Sequence, residues 1–96
     1  MNAKLTVDTQ DDLLRGIAWF DKISLGLGDQ FEAEFYNALE RIKDNPFLFP
    51  PNHTGYRPCR LKRFTAVVYF RIDGDWIVVV GLFTSGEDER SLADRF

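Results

Sequence analysis

The sequence predicts an α+β domain in which an N-terminal helical hairpin packs on one face of a mainly antiparallel, twisted sheet of three to four strands. Residues 1–96 are expected to form a single domain. Three observations carry this. Apolar residues recur at three- and four-residue steps in two successive segments before residue 45. The β-branched and aromatic residues are densest from Tyr56 to Phe83. Asp73-Gly74 stands between two apolar runs there, as a hairpin turn does.

Lys4 to Val7 alternates polar and apolar residues and is expected to be a brief edge strand. Thr9, followed three residues later by Asp12, resembles a helix cap with an acidic third position, so the first helix is expected to start near Thr9 or Asp11. Leu13, Leu14, Ile17, Ala18, Phe20 and Ile23 form its apolar stripe to about Ser24, with Trp19 beside it. Gly26-Leu27-Gly28 supplies the positive φ a tight connection needs. The second helix is expected from about Asp29 to Asp44, with Phe31, Phe35, Ala38, Leu39 and Ile42 inward and Asn45-Pro46 as its stop.

Phe47, Leu48 and Phe49 then read as an apolar plug before Pro50-Pro51 and the loop 52–55. In Thr65–Asp73, Ala66, Val68, Phe70 and Ile72 are expected to face the helices. Thr65, Val67, Tyr69 and Arg71 then occupy the other face, a candidate working face. Trp76 to Phe83 is apolar on both faces, as in a central strand, and Gly81 marks a bulge or close approach. The polar tail is expected to end in a short helix.

The net charge of −3 argues against indiscriminate nucleic-acid binding, but the charge is unevenly spread. Residues 1–54 hold nine acids and five bases, residues 55–72 five bases and no acid, and residues 73–96 six acids and two bases. A basic stretch in an otherwise acidic chain is a candidate anion-binding surface. Cys59 is alone, which excludes an internal disulfide and a structural zinc site. No run approaches the ~18–20 apolar residues of a spanning helix and no leader is visible, so a cytoplasmic protein without membrane or cofactor is expected.

A set of short motifs follows in order: Gly26-Leu27-Gly28 with Phe31, Ala38-Leu39-Glu40-Arg41-Ile42, Asn45-Pro46 with Phe49-Pro50, Gly55 with Arg57, Leu61 with Arg63-Phe64, Val68-Tyr69-Phe70-Arg71-Ile72, and Ile77 to Phe83. In this order the chain resembles the RelE/ParE superfamily of small toxins from type II toxin–antitoxin modules, over nearly its whole length. The resemblance implies an antitoxin partner that covers the working surface. It also implies one of two targets: ParE-like toxins poison DNA gyrase, and RelE-like toxins cleave mRNA at the ribosome without metal.

Metal-free RNA cleavage needs cations around the phosphorane and one group to move a proton. Arg60, Arg63 and Arg71 are the candidate catalytic cations and Tyr69 the candidate proton donor. Arg57, Arg60, Lys62, Arg63, Arg71, Arg90 and Arg95 are candidates for binding nucleic acid or another target. The chain departs from many relatives in two places. Arg63-Phe64-Thr65-Ala66 replaces an Arg-Phe-Pro-Tyr, and Thr84, Glu87, Glu89 and Leu92 stand where His, Arg, Pro and Trp are common. His53, the sole histidine, lies in the loop before the sheet. Carboxylates beside a phosphate site weaken cleavage, so the gyrase-poisoning branch is favoured over the ribonuclease, with an attenuated, antitoxin-binding toxin as a third alternative.

Overall fold

The structure, a computed structural model, describes residues 1–84 and 89–95. Strand β1 (Asn2–Leu5) leads into helices α1 (Val7–Ile23) and α2 (Leu27–Asp44). Strands β2 (Arg57–Arg60), β3 (Ala66–Asp73) and β4 (Trp76–Thr84) follow, and a short 3-10 helix, Glu89–Asp94, comes after them. The sheet order is β1-β4-β3-β2. β1 runs parallel to β4 and the other pairs are antiparallel. The two helices lie on one face, so the predicted α+β architecture is the observed one. Among the described residues no helix is long and apolar enough to cross a membrane.

Both boundaries at the N-terminus fall earlier than the sequence suggests. β1 spans Asn2–Leu5 rather than Lys4–Val7, and Val7 is 72% exposed at the start of α1. Thr6 is the cap, its side chain accepting a hydrogen bond from Thr9 N at 3.2 Å. Thr9 is drawn into the first turn instead, fully buried, and its hydroxyl donates to the Val79 carbonyl at 2.9 Å. A threonine that bonds a neighbouring strand reads, in sequence, like a threonine that caps a helix.

The stripe on α1 is rotated from the predicted one. Thr9, Asp12, Leu13 and Gly16 are buried, with Ile17 and Phe20 partly so, whereas Leu14 and Ile23 are more than half exposed and Ala18 is also exposed. Gly16 explains the rotation, because a Cβ there would lie 2.5 Å from Phe31 Cε2. The bare backbone is what lets α2 press against α1. In the connection only Gly26 has a positive φ, at 90°. Gly28 serves close approach: its N–H donates to Asp21 Oδ1 at 2.7 Å and a Cβ would strike the Ile17 carbonyl.

On α2 the predicted stripe is the real one, with Phe31, Phe35, Ala38 and Ile42 at 0% exposure. The expected plug is only one residue deep. Phe47 and Leu48 are exposed on a 3-10 turn, Pro46–Leu48, and Phe49 alone packs edge-on against Phe70.

Ala66, Val68 and Phe70 face the helices as predicted, in a core with Ile77, Val79 and Leu82 of β4. The other face is not open. Tyr69, Val78, Val80, Phe83 and Leu92 form a second core cluster there, with Tyr56 and Val67 against it. A bulge divides the two sets on β4: Tyr69 pairs with Gly81 but Phe70 with Val79, so Val80 is the extra residue and the alternation changes phase. Gly81 is also a close approach, since a Cβ would lie 2.7 Å from the Phe83 ring and 3.1 Å from Leu92.

β1 ends at Leu5, so the β4 edge beyond Val79 has no strand beside it. Asp12 fills the gap. Its Oδ2 accepts from Leu82 N at 3.0 Å and from Arg95 Nη1 at 2.6 Å, and its Oδ1 from Arg95 Nη2 at 3.1 Å and from Arg15. Arg95 Nη1 also donates to the Val80 carbonyl at 3.0 Å. Side chains thus satisfy backbone groups that a strand would otherwise bond.

Candidate functional site

The basic segment forms no single patch. Cross-strand pairing sets the side each residue takes. Arg57 pairs with Phe70 and lies on the helix side, where its Nη1 donates to the Phe49 carbonyl at 3.0 Å and its guanidinium covers the Phe47 ring. Arg60 pairs with Val67 and leaves the sheet on the opposite side, exposed at the end of edge strand β2. Arg71 lies four residues along β3 from Val67, roughly 13 Å away at ~3.3 Å per residue. There it pairs with Asp73 at 3.1 Å. Its charge also acts on Tyr56, whose pKa is raised by desolvation and partly lowered again by Arg71.

Lys62 and Arg63 sit at the corner between β2 and β3, and the sequence around them shows why they project outward. Leu61 is buried, and Phe64 stacks edge-on against Phe20 and Phe31 at 5.0 and 5.4 Å. Two apolar anchors therefore bracket two cations. The turn closes with Leu61 N donating to the Ala66 carbonyl, and Arg63 takes a φ of 68°, the one positive φ among described non-glycine residues. Such a conformation is sparsely populated and persists where surrounding contacts enforce it.

These two cations meet a third on α2. Glu34, Asn37, Arg41, Lys62 and Arg63 line a cleft of about 300 Å³. Glu34, largely buried, holds Arg63 Nη2 at 3.0 Å from its Oε1. Arg41 Nη2 donates to the Arg60 carbonyl at 2.9 Å, which fixes the guanidinium against β2. Lys62 makes no ion pair with any described residue. The cleft therefore presents three cations against one carboxylate. Arg41 also opposes the rise that burial imposes on the Cys59 thiol pKa. Sequence reasoning missed Arg41, Glu34 and Asn37 as site residues. Their signal was present: steps of three and four on α2, flanking the buried Phe35, Ala38 and Ile42.

The remaining predicted residues lie elsewhere. Tyr69 is only 4% exposed and packs edge-on against Phe83, so it stands between Arg60 and Arg71 without reaching the surface they share. Arg95, expected among the target-binding cations, is committed to Asp12 and stacks over Phe83 at 4.9 Å. Arg90 lines a second cleft of about 300 Å³ with His53, Thr54, Leu92 and Ala93. The chain's sole histidine thus comes beside the C-terminal 3-10 helix, a neighbourhood that sequence separation concealed. Thr84 lines a third cleft, of about 390 Å³, with Arg15, Gly16, Ala18, Trp19 and Lys22. Glu87 lies outside the described residues, as does the side chain of Glu89. The catalytic candidates Arg60, Arg63, Arg71 and Tyr69 do not line one cleft, whereas Lys62 and Arg63, both predicted to bind a target, do.

No protein-family model and no curated protein sequence matches the chain. Among solved structures, a chain from "Chromosomal ParDE TA system from P. aeruginosa" is similar with a TM-score of 0.71 and 18% sequence identity. The match covers 88% of this chain and 95% of that one. At that coverage the chain shares the fold of that ParDE-system chain, here two helices on one face of a four-stranded mixed sheet.

Proposed function

We propose that the protein is the toxin of a type II toxin–antitoxin module, that it arrests growth by poisoning DNA gyrase, and that a cognate antitoxin neutralises it in the cytoplasm. The structural similarity to a chain of a ParDE system, across most of both chains, carries the toxin reading. The burial of Tyr69 supports the gyrase branch. The one proton-transfer candidate among the sheet cations is packed under Phe83 and Leu92, whereas the cations beside it are displayed for contact. Poisoning requires a binding surface and no acid–base pair.

The antitoxin would meet apolar side chains that the fold leaves outward. Leu14, Trp19, Ile23 and Leu25 are 65%, 59%, 61% and 95% exposed along and just after α1. Exposed aromatic and aliphatic residues beside Arg15 and Lys22 suit an amphipathic partner segment.

A second reading, ribosome-dependent mRNA cleavage, draws on His53 and Arg90 lining one cleft. The test separates the two. Purified gyrase with relaxed plasmid is incubated with the protein, and stalled cleavage complexes with loss of supercoiling are expected. Programmed ribosomes treated in parallel should keep their mRNA intact. Intact gyrase activity together with discrete A-site mRNA products would sink the gyrase reading in favour of the nuclease.

A further inference from the structure

The corner cleft between α2 and the β2–β3 turn has a chemistry of its own. Every lining residue is polar or charged, Arg41, Lys62, Arg63, Asn37 and Glu34, with their carbon stems forming the greater part of the wall. Among the described residues each of its guanidinium groups is held by one hydrogen bond, Arg63 to Glu34 and Arg41 to the Arg60 carbonyl. A guanidinium carries five N–H donors, so both keep donors to spare. Lys62 adds a compact ammonium with no ion-pair partner among the described residues. The backbone beneath is firm, since Leu61 and Phe64 pin both ends of the turn into the core. At about 300 Å³, the space suits one tetrahedral anion and its immediate neighbours.

We propose that this cleft seats a backbone phosphate of duplex DNA, so that the protein touches the DNA held by gyrase as well as the enzyme. The inference rests on the gyrase reading and names the partner chemistry of that surface. A phosphate is favoured over an acidic protein segment for a physical reason. A peptide would seat an apolar anchor in a pocket beside its carboxylates, and the apolar wall here consists only of the aliphatic stems that carry the cationic heads. Phosphate binding needs only preformed donors and positive charge, with arginine forks matched to its oxygens. The net charge of −3 keeps the contact local, because the rest of the surface repels the duplex.

The test is a titration of a short, fluorescently labelled DNA duplex with the full chain, without gyrase, across a series of salt concentrations. Binding at low salt is expected, falling linearly in log affinity with log salt. Lys62→Gln and Arg41→Gln should each reduce that slope by about 1, with circular dichroism confirming that both variants are folded. Lys4→Gln, on the opposite sheet edge, should leave it unchanged. No duplex binding at low salt, or equal slopes for all four proteins, would overturn the proposal. A polyglutamate peptide that binds and displaces the duplex would also overturn it, and would assign the cleft to an acidic protein. The gyrase assay is scored separately. Gyrase inhibition without duplex binding removes this inference alone, and duplex binding without gyrase inhibition removes the gyrase reading, and with it the contact to gyrase-held DNA, while leaving the cleft a phosphate site.

Discussion

Asp12 is the residue on which most of the polar interior depends. Its side chain is wholly shielded from water and accepts from one backbone amide and two arginines. Asp12→Asn preserves the shape but removes the charge partner of Arg95, leaving its bond to the Val80 carbonyl, and places an NH₂ against a donor. Removing one partner of a buried pair costs ~3–5 kcal/mol. Arg95 keeps a small exposure, so about 2–4 kcal/mol is expected here, read as a lower urea midpoint at an unchanged slope. A loss within the error of the fit would show that the cluster contributes little.

Gly16 is the apolar counterpart at the same scale. Gly16→Ala gains about 1 kcal/mol of helix propensity, yet its methyl must enter the space of the Phe31 ring. Overpacking of this kind costs ~1–3 kcal/mol, so thermal melts should show a net loss. Cys59 behaves differently again, because burial raises its thiol pKa. A raised folded pKa means the native state holds its proton where the unfolded chain has lost it. The Cys59 contribution to stability is therefore intact below the ordinary thiol pKa and lost as pH rises through the raised one. In native protein at mildly alkaline pH, a thiol reagent should leave Cys59 unmodified until urea unfolds the chain.

At the scale of elements, legibility in the sequence followed how many neighbours an element answers to. α2 packs its stripe on a single core, so a period of 3.6 predicted Phe31, Phe35, Ala38 and Ile42 without error. α1 answers to α2 and also to the frayed edge of β4, and Thr9 and Asp12 turn polar atoms inward to bond that edge. No periodicity of apolar residues reports such a task, which is why Leu14 and Ile23 were assigned inward and lie outside. The working-face expectation failed for Tyr69, and in part for Val67, through the 3-10 helix Glu89–Asp94, since a strand pattern does not announce what later covers it. The corner cleft was half legible: Lys62 and Arg63 stood out as charge, and Arg41 was hidden on a helix 19 residues before the carbonyl it bonds.

That covering element can be probed. Leu92, 2% exposed, fills the space over Val80 and Phe83. Leu92→Ala should cost ~2–5 kcal/mol by the usual cavity argument. If the 3-10 helix is held mainly by this side chain, trypsin should cut after Arg90 or Arg95 far sooner in the variant than in the parent. Equal cleavage times would assign the anchoring to Arg95 instead.

At the scale of the whole molecule, α1 and its end leave several apolar side chains in solvent, Val7, Leu14, Trp19, Ile23 and Leu25, whereas three cations meet at the corner of α2 and the β2–β3 turn. Leu14→Lys and Leu25→Lys are expected to leave stability within about 0.5 kcal/mol, because neither side chain packs in the core. Sedimentation should show any self-association of the parent protein reduced. A large fall in melting temperature would mean that these residues support the fold after all.

The bonds made by Asp12 also have a bearing on time. They join residue 12 to residues 82 and 95, and β1 pairs residues 2–5 with 76–79. Contacts of such long sequence separation close late. During synthesis the helical hairpin can form early, but its partner edge does not exist until β4 has emerged, and the edge is not sealed until Arg95 follows. A ribosome making this chain therefore carries a hairpin with an open β1 and α1 edge until β4 is made, although every residue that lines the corner cleft has been added by residue 63.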